Sequence, residues 1–130
     1  MASIFTRIIR GELPCYKIYE DELFFAFLDI KPIRIGHTLL VPKQEIDYYF
    51  DLKPQILADL TVVSQKIAVA IKQIVPCRKI GVAVCGIEVP HAHLHLIPVD
   101  KVADMNFANA APAKAEDLAS IAEKIRQKLA

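Results

Sequence analysis

The 130-residue sequence has no run of 18 uninterrupted apolar residues, so no segment is expected to span a membrane. It has almost no net charge: 16 Lys and Arg stand against 15 Asp and Glu, a formal +1. That removes the electrostatic case for nucleic acid or an anionic membrane surface as the main partner. Its three cysteines, Cys15, Cys77 and Cys85, are odd in number and widely spaced. They do not make a disulfide framework; they fit a reducing cytoplasm and are expected to be small buried hydrophobes. Charges interrupt the apolar residues of Met-Ala-Ser-Ile-Phe-Thr-Arg, so the start is not expected to act as a signal peptide. Internal repeats, linkers and low-complexity stretches are missing too. What is there is a globular balance, 54% hydrophobic and 24% charged. It is enough for the core of one domain over 1–130.

Periodicity divides the chain. Ile4, Phe5, Ile8 and Ile9 have helical spacing, ended by Gly11 and Pro14. Residues 15–20 and 23–30 read as a hairpin around Glu20-Asp21-Glu22. Gly36 opens a third strand, 37–41, closed by Pro42. Apolar positions 56, 60, 63, 67, 70, 71 and 74 form a helical stripe. Asp51 is its expected N-cap, Pro54 fits the first turn and Pro76 stops it. Strands over 79–85 and 91–97 follow, the latter ended by Pro98. Leu118, Ile121, Ile125 and Leu129 mark a last amphipathic helix over about 114–129. Five strands with one long helix and an additional C-terminal helix predict an α+β domain with a mostly antiparallel sheet. Residues 99–130 form a C-terminal tail and helix, and Met105 and Phe107 are expected to fold back and anchor that tail.

Residues 91–97 read His-Ala-His-Leu-His-Leu-Ile. In an extended strand His91, His93 and His95 project from one side and Ala92, Leu94 and Leu96 from the other. A core does not need three imidazoles in a row, each with donors and acceptors to satisfy in a small volume. Two chemistries explain them better. Three imidazoles can bind zinc and leave a fourth position open. Against that, three alternate positions spread over roughly 13 Å at the strand rise, and no neighbouring Asp or Glu supports them. The other chemistry is at phosphorus. A neutral imidazole can attack a phosphoryl or nucleotidyl centre and form a transient phosphoramidate. Its neighbours can hydrogen-bond the non-bridging oxygens and move protons. That reading requires no metal and no cofactor.

The pattern His-x-His-x-His followed by two apolar residues resembles the signature of the histidine triad (HIT) superfamily. Other segments agree in order: Ile4-Phe5-x-x-Ile8-Ile9-x-Gly11-Glu12-Leu13-Pro14, Phe25-Ala26-Phe27-Leu28-Asp29-Ile30-x-Pro32, Gly36-His37-Thr38-Leu39-Leu40-Val41-Pro42-Lys43 and Glu88-Val89-Pro90. The resemblance covers residues 3–98 and is nearest to the small nucleotide-binding, purine nucleoside phosphoramidase branch. It implies a cytoplasmic homodimer acting on a purine nucleotide or nucleotide conjugate joined to a leaving group through phosphorus. In that family's terms His93 is the nucleophile, His95 meets the phosphate and leaving group, His91 orients His93, and His37 sits behind the site. Asp29 accepts from the ribose hydroxyls, and Ile4, Phe5, Ile8, Phe27 and Ile30 wall the base.

Two departures from the family pattern bear on function. Many bacterial relatives hold structural zinc through a Cys-x-x-Cys, a later histidine and the first triad histidine. Here those positions are Ser3, Thr6 and Glu45 with His91, so no metal is expected. The loop before the triad is short, Val84-Cys85-Gly86-Ile87-Glu88-Val89-Pro90, with Ile87 where the family carries Gln. A neutral hydrogen bond to the phosphate is worth about 1–1.5 kcal/mol, so each one this loop does not make changes rate roughly tenfold. The expected activity is hydrolysis at the α-phosphate of nucleoside phosphoramidates or related purine nucleotide conjugates. The alternatives are dinucleoside polyphosphate hydrolysis, a nucleotide-binding protein without turnover, or a zinc enzyme.

Overall fold

The computed structural model describes residues 1–130. In chain order the elements are α1 (Ile4–Ile9), β1 (Lys17–Glu20), β2 (Phe24–Leu28), β3 (Thr38–Pro42), α2 (Pro54–Ile74), β4 (Lys79–Ala83), β5 (Leu94–Val99) and α3 (Ala115–Leu129). Short 3-10 turns lie at Tyr49–Asp51, Val102–Met105 and Phe107–Asn109. The strands form one sheet in the order β1-β2-β3-β5-β4, antiparallel at every pairing. The α+β architecture expected from the sequence is the one observed.

Local chemistry explains the elements. Ser3 caps α1, its hydroxyl accepting from the Thr6 N–H at 3.0 Å. The β1–β2 turn is tied by Asp21, whose Oδ1 accepts from the Leu23 and Phe24 N–H groups at 2.8 Å each. Along α2, Leu60, Ser64, Ile67, Ala70 and Ile71 form one buried face against the sheet. This helix is long and apolar enough to cross a bilayer, but here that face builds the main core with Phe24, Leu28, Leu40, Leu94 and Leu96. Leu118, Ala122 and Ile125 of α3 join the same core. Phe5, Phe25, Phe27, Leu39 and Val41 form a second, smaller cluster under α1. With both faces covered, every residue of β2 and β3 is buried.

Three details differ from expectation. The cap of α2 is Lys53, not Asp51, which lies in the preceding 3-10 turn. Pro54 occupies the first helical turn, where its missing N–H costs nothing. The strand β5 begins at Leu94 rather than at residue 91 and runs through Pro98. Before it, the His91 N–H bonds to the Val89 carbonyl and the Ala92 N–H to the Ile46 carbonyl, so the ladder cannot start earlier. Pro98 is tolerated because pairing with β3 stops at Leu96, leaving Pro98 a partner only on β4. The cysteines are not buried. Cys85 is exposed and Cys15 and Cys77 are half-buried, because each lies in a connection between elements.

The stretch 99–113 is a strap fastened across one end of the sheet. Arg34 pairs with Asp104 at 2.6 Å and Asp100 at 3.2 Å. The Ala111 and Ala113 N–H groups bond to the Pro32 and Ile30 carbonyls. Met105 packs on Gly81 of β4 so closely that a Cβ there would stand 2.5 Å from its sulfur. Gly36, at φ +89°, makes the turn into β3 where a Cβ would meet Val75 at 2.9 Å.

Candidate active site

The structure brings His37, His91, His93 and His95 together, all at most 8% exposed. The His93 and His95 ring centres are 5.0 Å apart, and those of His37 and His95 are 5.1 Å apart. Burial pushes the His93, His95 and His37 imidazoles down from their ordinary value. His95 falls furthest, to about 3, because the charges His37 and His93 could carry add to the burial. For His37 the Asp29 carboxylate partly offsets the effect. These three rings are therefore neutral near pH 7, each with one N–H and one lone pair.

Hydrogen-bond partners fix which nitrogen is which. The Ile33 N–H donates to His37 Nδ1 at 3.0 Å, so the His37 proton is on Nε2. That Nε2 faces His95 Nδ1 at 2.9 Å and donates to it, which leaves the His95 proton on Nε2. His93 Nδ1 lies 2.7 Å from the His91 carbonyl and must donate, so its Nε2 holds the lone pair. His91 Nε2 lies 2.7 Å from the Pro42 carbonyl and also donates, while its Nδ1 accepts from the Ser3 hydroxyl at 2.8 Å. Of the four imidazole lone pairs, the one left without a donor is on His93 Nε2. Beside it His95 offers an N–H. A lone nucleophilic nitrogen next to a hydrogen-bond donor suits attack at phosphorus.

The same protonation pattern bears on metals. Asp29, His37 and His95 place donor atoms within 4.8 Å of one another. Yet a proton bridges the His37–His95 pair, and the remaining His37 nitrogen is engaged by Ile33, so neither bridged nitrogen has a free lone pair for a cation. Ser3, Thr6, Glu45 and His91 also meet, as the family pattern implies for those positions. They meet through hydrogen bonds. Glu45 Oε1 accepts from the Ser3 N–H at 2.7 Å and from the Thr6 hydroxyl at 2.6 Å. Those bonds hold the Glu45 carboxyl down to about 2, the Thr6 hydroxyl contributing most. Two hydroxyls, a carboxylate and an imidazole whose lone pair is taken do not fit structural zinc.

Asp29 follows β2. Its Oδ1 accepts from the Lys31 N–H at 2.9 Å, and its Oδ2 lies 3.7 Å from His37 Nε2, with acceptor capacity left for a diol. The expected base wall divides. Phe5 and Phe27 are buried and pack edge-to-face at 5.5 Å, and Phe5 stands edge-on to His93 at 4.9 Å. Ile8 is half-buried, and Ile4 and Ile30 are exposed. Phe107, expected from the sequence only to anchor the tail, also belongs to the site. Its ring lies 4.9 Å from His95 and 6.4 Å from His37. One phenyl ring in a polar, Ala-rich stretch is the signal that points to it. No sequence signal marks a further feature, a cavity of about 320 Å³ that opens beside His93, between Asp47–Phe50 and the β4–β5 loop.

Comparison with known proteins places this geometry. The HIT domain profile matches residues 10–102. An uncharacterized HIT-like protein of Borreliella burgdorferi is 39% identical over 102 residues, 73% of each chain. An adenosine 5′-monophosphoramidase of Saccharomyces cerevisiae is 35% identical over 98 residues, covering 75% of this chain and 62% of the yeast protein. The crystal structure of a HIT-like protein involved in cell-cycle regulation from Bartonella henselae superposes with a TM-score of 0.85 at 33% identity, over 97% of this chain and 95% of that one.

Proposed function

The chain belongs to the HIT domain family, and on that premise we propose that it hydrolyses nucleoside phosphoramidates, or related purine nucleotide conjugates, at the α-phosphate. The observation that carries this reading is the unpartnered lone pair on His93 Nε2. The similarity to a protein named adenosine 5′-monophosphoramidase supports the choice of substrate class.

In the proposed reaction Asp29 accepts from the ribose hydroxyls, and Ile4, Phe5, Ile8, Phe27 and Ile30 flank the base. His93 Nε2 attacks phosphorus and a P–Nε2 bond forms. The bond to the leaving nitrogen breaks, and its electron pair departs with that nitrogen. The His95 Nε2–H donates a hydrogen bond to the phosphate beside the leaving nitrogen, and the departing amine takes its proton from solvent. Water then attacks phosphorus, the P–Nε2 bond breaks with its pair returning to His93, and the water proton replaces the one spent. Net, one water converts the amidate to the nucleoside monophosphate and an amine. His91 orients His93 through its carbonyl, and His37 holds the His95 proton on Nε2. We further propose a homodimer. The outer edge of β4 is unpaired in the monomer, and Val82 and Val84 there are exposed.

His93→Ala is expected to cut hydrolysis of adenosine 5′-phosphoramidate by roughly 10³-fold or more. Rapid alkaline quench of the wild type, which spares a phosphorus–imidazole bond, should show one nucleotidyl mass added at His93. Wild-type turnover in the purified variant, or the added mass on another residue, would sink the assignment.

A further inference from the structure

One side-chain atom from each of Asp29, His37 and His95 lies within 4.8 Å of the other two, and the backbone builds that closeness. The Asp29 N–H donates to the His37 carbonyl at 3.0 Å, where β2 ends and β3 begins, and the His37 N–H donates to the Arg34 carbonyl at 3.1 Å. The Lys31 N–H holds Asp29 Oδ1 at 2.9 Å, and the Ile33 N–H holds His37 Nδ1 at 3.0 Å. Each side chain thus has one atom pinned by the loop between them. The other atoms, Asp29 Oδ2 and His37 Nε2, face each other at 3.7 Å.

His37 has one ring hydrogen, on Nε2, and two acceptors in front of it. His95 Nδ1 is neutral and lies at 2.9 Å; Asp29 Oδ2 is anionic and lies at 3.7 Å. A charged acceptor draws a donor about twice as strongly as a neutral one, so distance and charge oppose each other here. The Asp29 charge is felt at His37, where it partly offsets the effect of burial. Any tilt of the N–H toward Asp29 weakens the bond to His95. That bond keeps the His95 proton on Nε2, where the phosphate meets it. A ligand can reach the carboxylate, whose side chain is 23% exposed, but not the His37 ring, at 1%. Two ribose hydroxyls donating to the carboxylate occupy its lone pairs and spread its charge, and its hold on the His37 N–H falls.

Resting on the nucleotidyl-transfer reading above, we infer that Asp29 is a positioning residue for the transfer as well as a ribose acceptor: a diol on its carboxylate commits the His37 hydrogen to His95, and His95 then presents its Nε2–H to the phosphate. The ribose is therefore read twice, once in affinity and once in turnover. A conjugate that lacks the hydroxyls binds weakly and, even at saturation, meets a loosened donor. The substrate class this selects is the ribonucleotide conjugate with both hydroxyls free.

The test uses the full chain with adenosine 5′-phosphoramidate and its 2′,3′-dideoxy analogue. In the wild type the analogue should show a higher KM and a kcat lower by about tenfold. Asp29→Asn keeps an oxygen for the Lys31 N–H and removes the charge, so the two substrates should then share one kcat. His37→Gln removes the ring whose hydrogen is contested. The kcat gap should shrink to about twofold or less while the KM gap persists. Nitrogen-15 spectra give a readout without turnover. Saturating adenosine should move the His95 ring nitrogens toward a single Nε2–H tautomer, and saturating 2′,3′-dideoxyadenosine should not. An undiminished kcat gap in His37→Gln, or the same His95 spectrum with both nucleosides, overturns the inference. Wild-type turnover of both amidates with a difference in KM alone leaves the nucleotidyl-transfer reading standing and removes the coupling. A wild type inert on both amidates removes both.

Discussion

At its His91 end the histidine row is tied by hydroxyls and a carboxylate; at its His95 end it is tied by another imidazole and a phenyl ring. Ser3, Thr6 and Glu45 clamp α1 to His91 through bonds of 2.6–3.0 Å. Neither the hydroxyls nor the carboxylate of that clamp changes charge between pH 5 and 8. At the other end His37 and His95 share a proton across 2.9 Å under Phe107. Imidazoles are the side chains that titrate near neutrality, and here burial keeps them uncharged. One end fixes position and the other handles protons. A clamp of the same kind at both ends could not do both.

Substitutions can break that division, the largest effect coming first. His37→Ala removes the donor that holds the His95 proton on Nε2. A fall of about 100-fold in kcat on adenosine 5′-phosphoramidate is expected, with KM little changed. Ser3→Ala removes the hydroxyl from His91 and the cap from α1. It should cost about 1–2 kcal/mol of stability by urea titration, with a fall in kcat of no more than about tenfold. Equal kcat losses in the two variants would mean that the ends do not differ in kind.

Acidity separates the ends without mutation. Burial disfavours the His95 imidazolium, so the unfolded chain binds protons first, below its ordinary value of 6.5. Stability from neutral His95 is present above that pH and is lost as pH falls from 6.5 toward about 3. Each such histidine contributes a slope of up to about 1.4 kcal/mol per pH unit, and His37 and His93 shift in the same direction. Glu45 acts lower. Its ionised form stabilises above the ordinary 4.5, and that contribution is lost toward about 2. Melting curves should therefore fall first over the histidine window. Glu45→Gln, the mildest change, should differ from wild type above pH 4.5 and converge with it near pH 2. Phe107→Ala should sharpen the contrast by wetting His95, whose imidazole NMR titration should move up toward 6.5.

Much of the site is legible in the sequence alone. The stripe from Leu60 to Ile71 declares α2, and alternate histidines declare a chemical face. Asp29 and His37 come from ordered segments, and Ser3, Thr6 and Glu45 stand out as replacements at the family's zinc-ligand positions, which the structure joins by hydrogen bonds. What stays hidden depends on partners far away in the chain. The bond from the Ala92 N–H to the Ile46 carbonyl delays β5, and no local pattern encodes it. Phe107 reaches His95 because Arg34 holds Asp104, a pairing across 70 residues. The cavity beside His93 is built from two loops, and loops carry no periodicity to read.

The seat of Met105 on Gly81 has a consequence for how the molecule ages. The thioether sits where even a methyl group has no room. Oxidation to the sulfoxide adds a polar oxygen to that contact and turns a flexible apolar chain into a polar, chiral one. The strap it secures carries Phe107 two residues later, over His95. Peroxide would thus loosen the cover of the site without touching an imidazole, and a sulfoxide reductase would restore it.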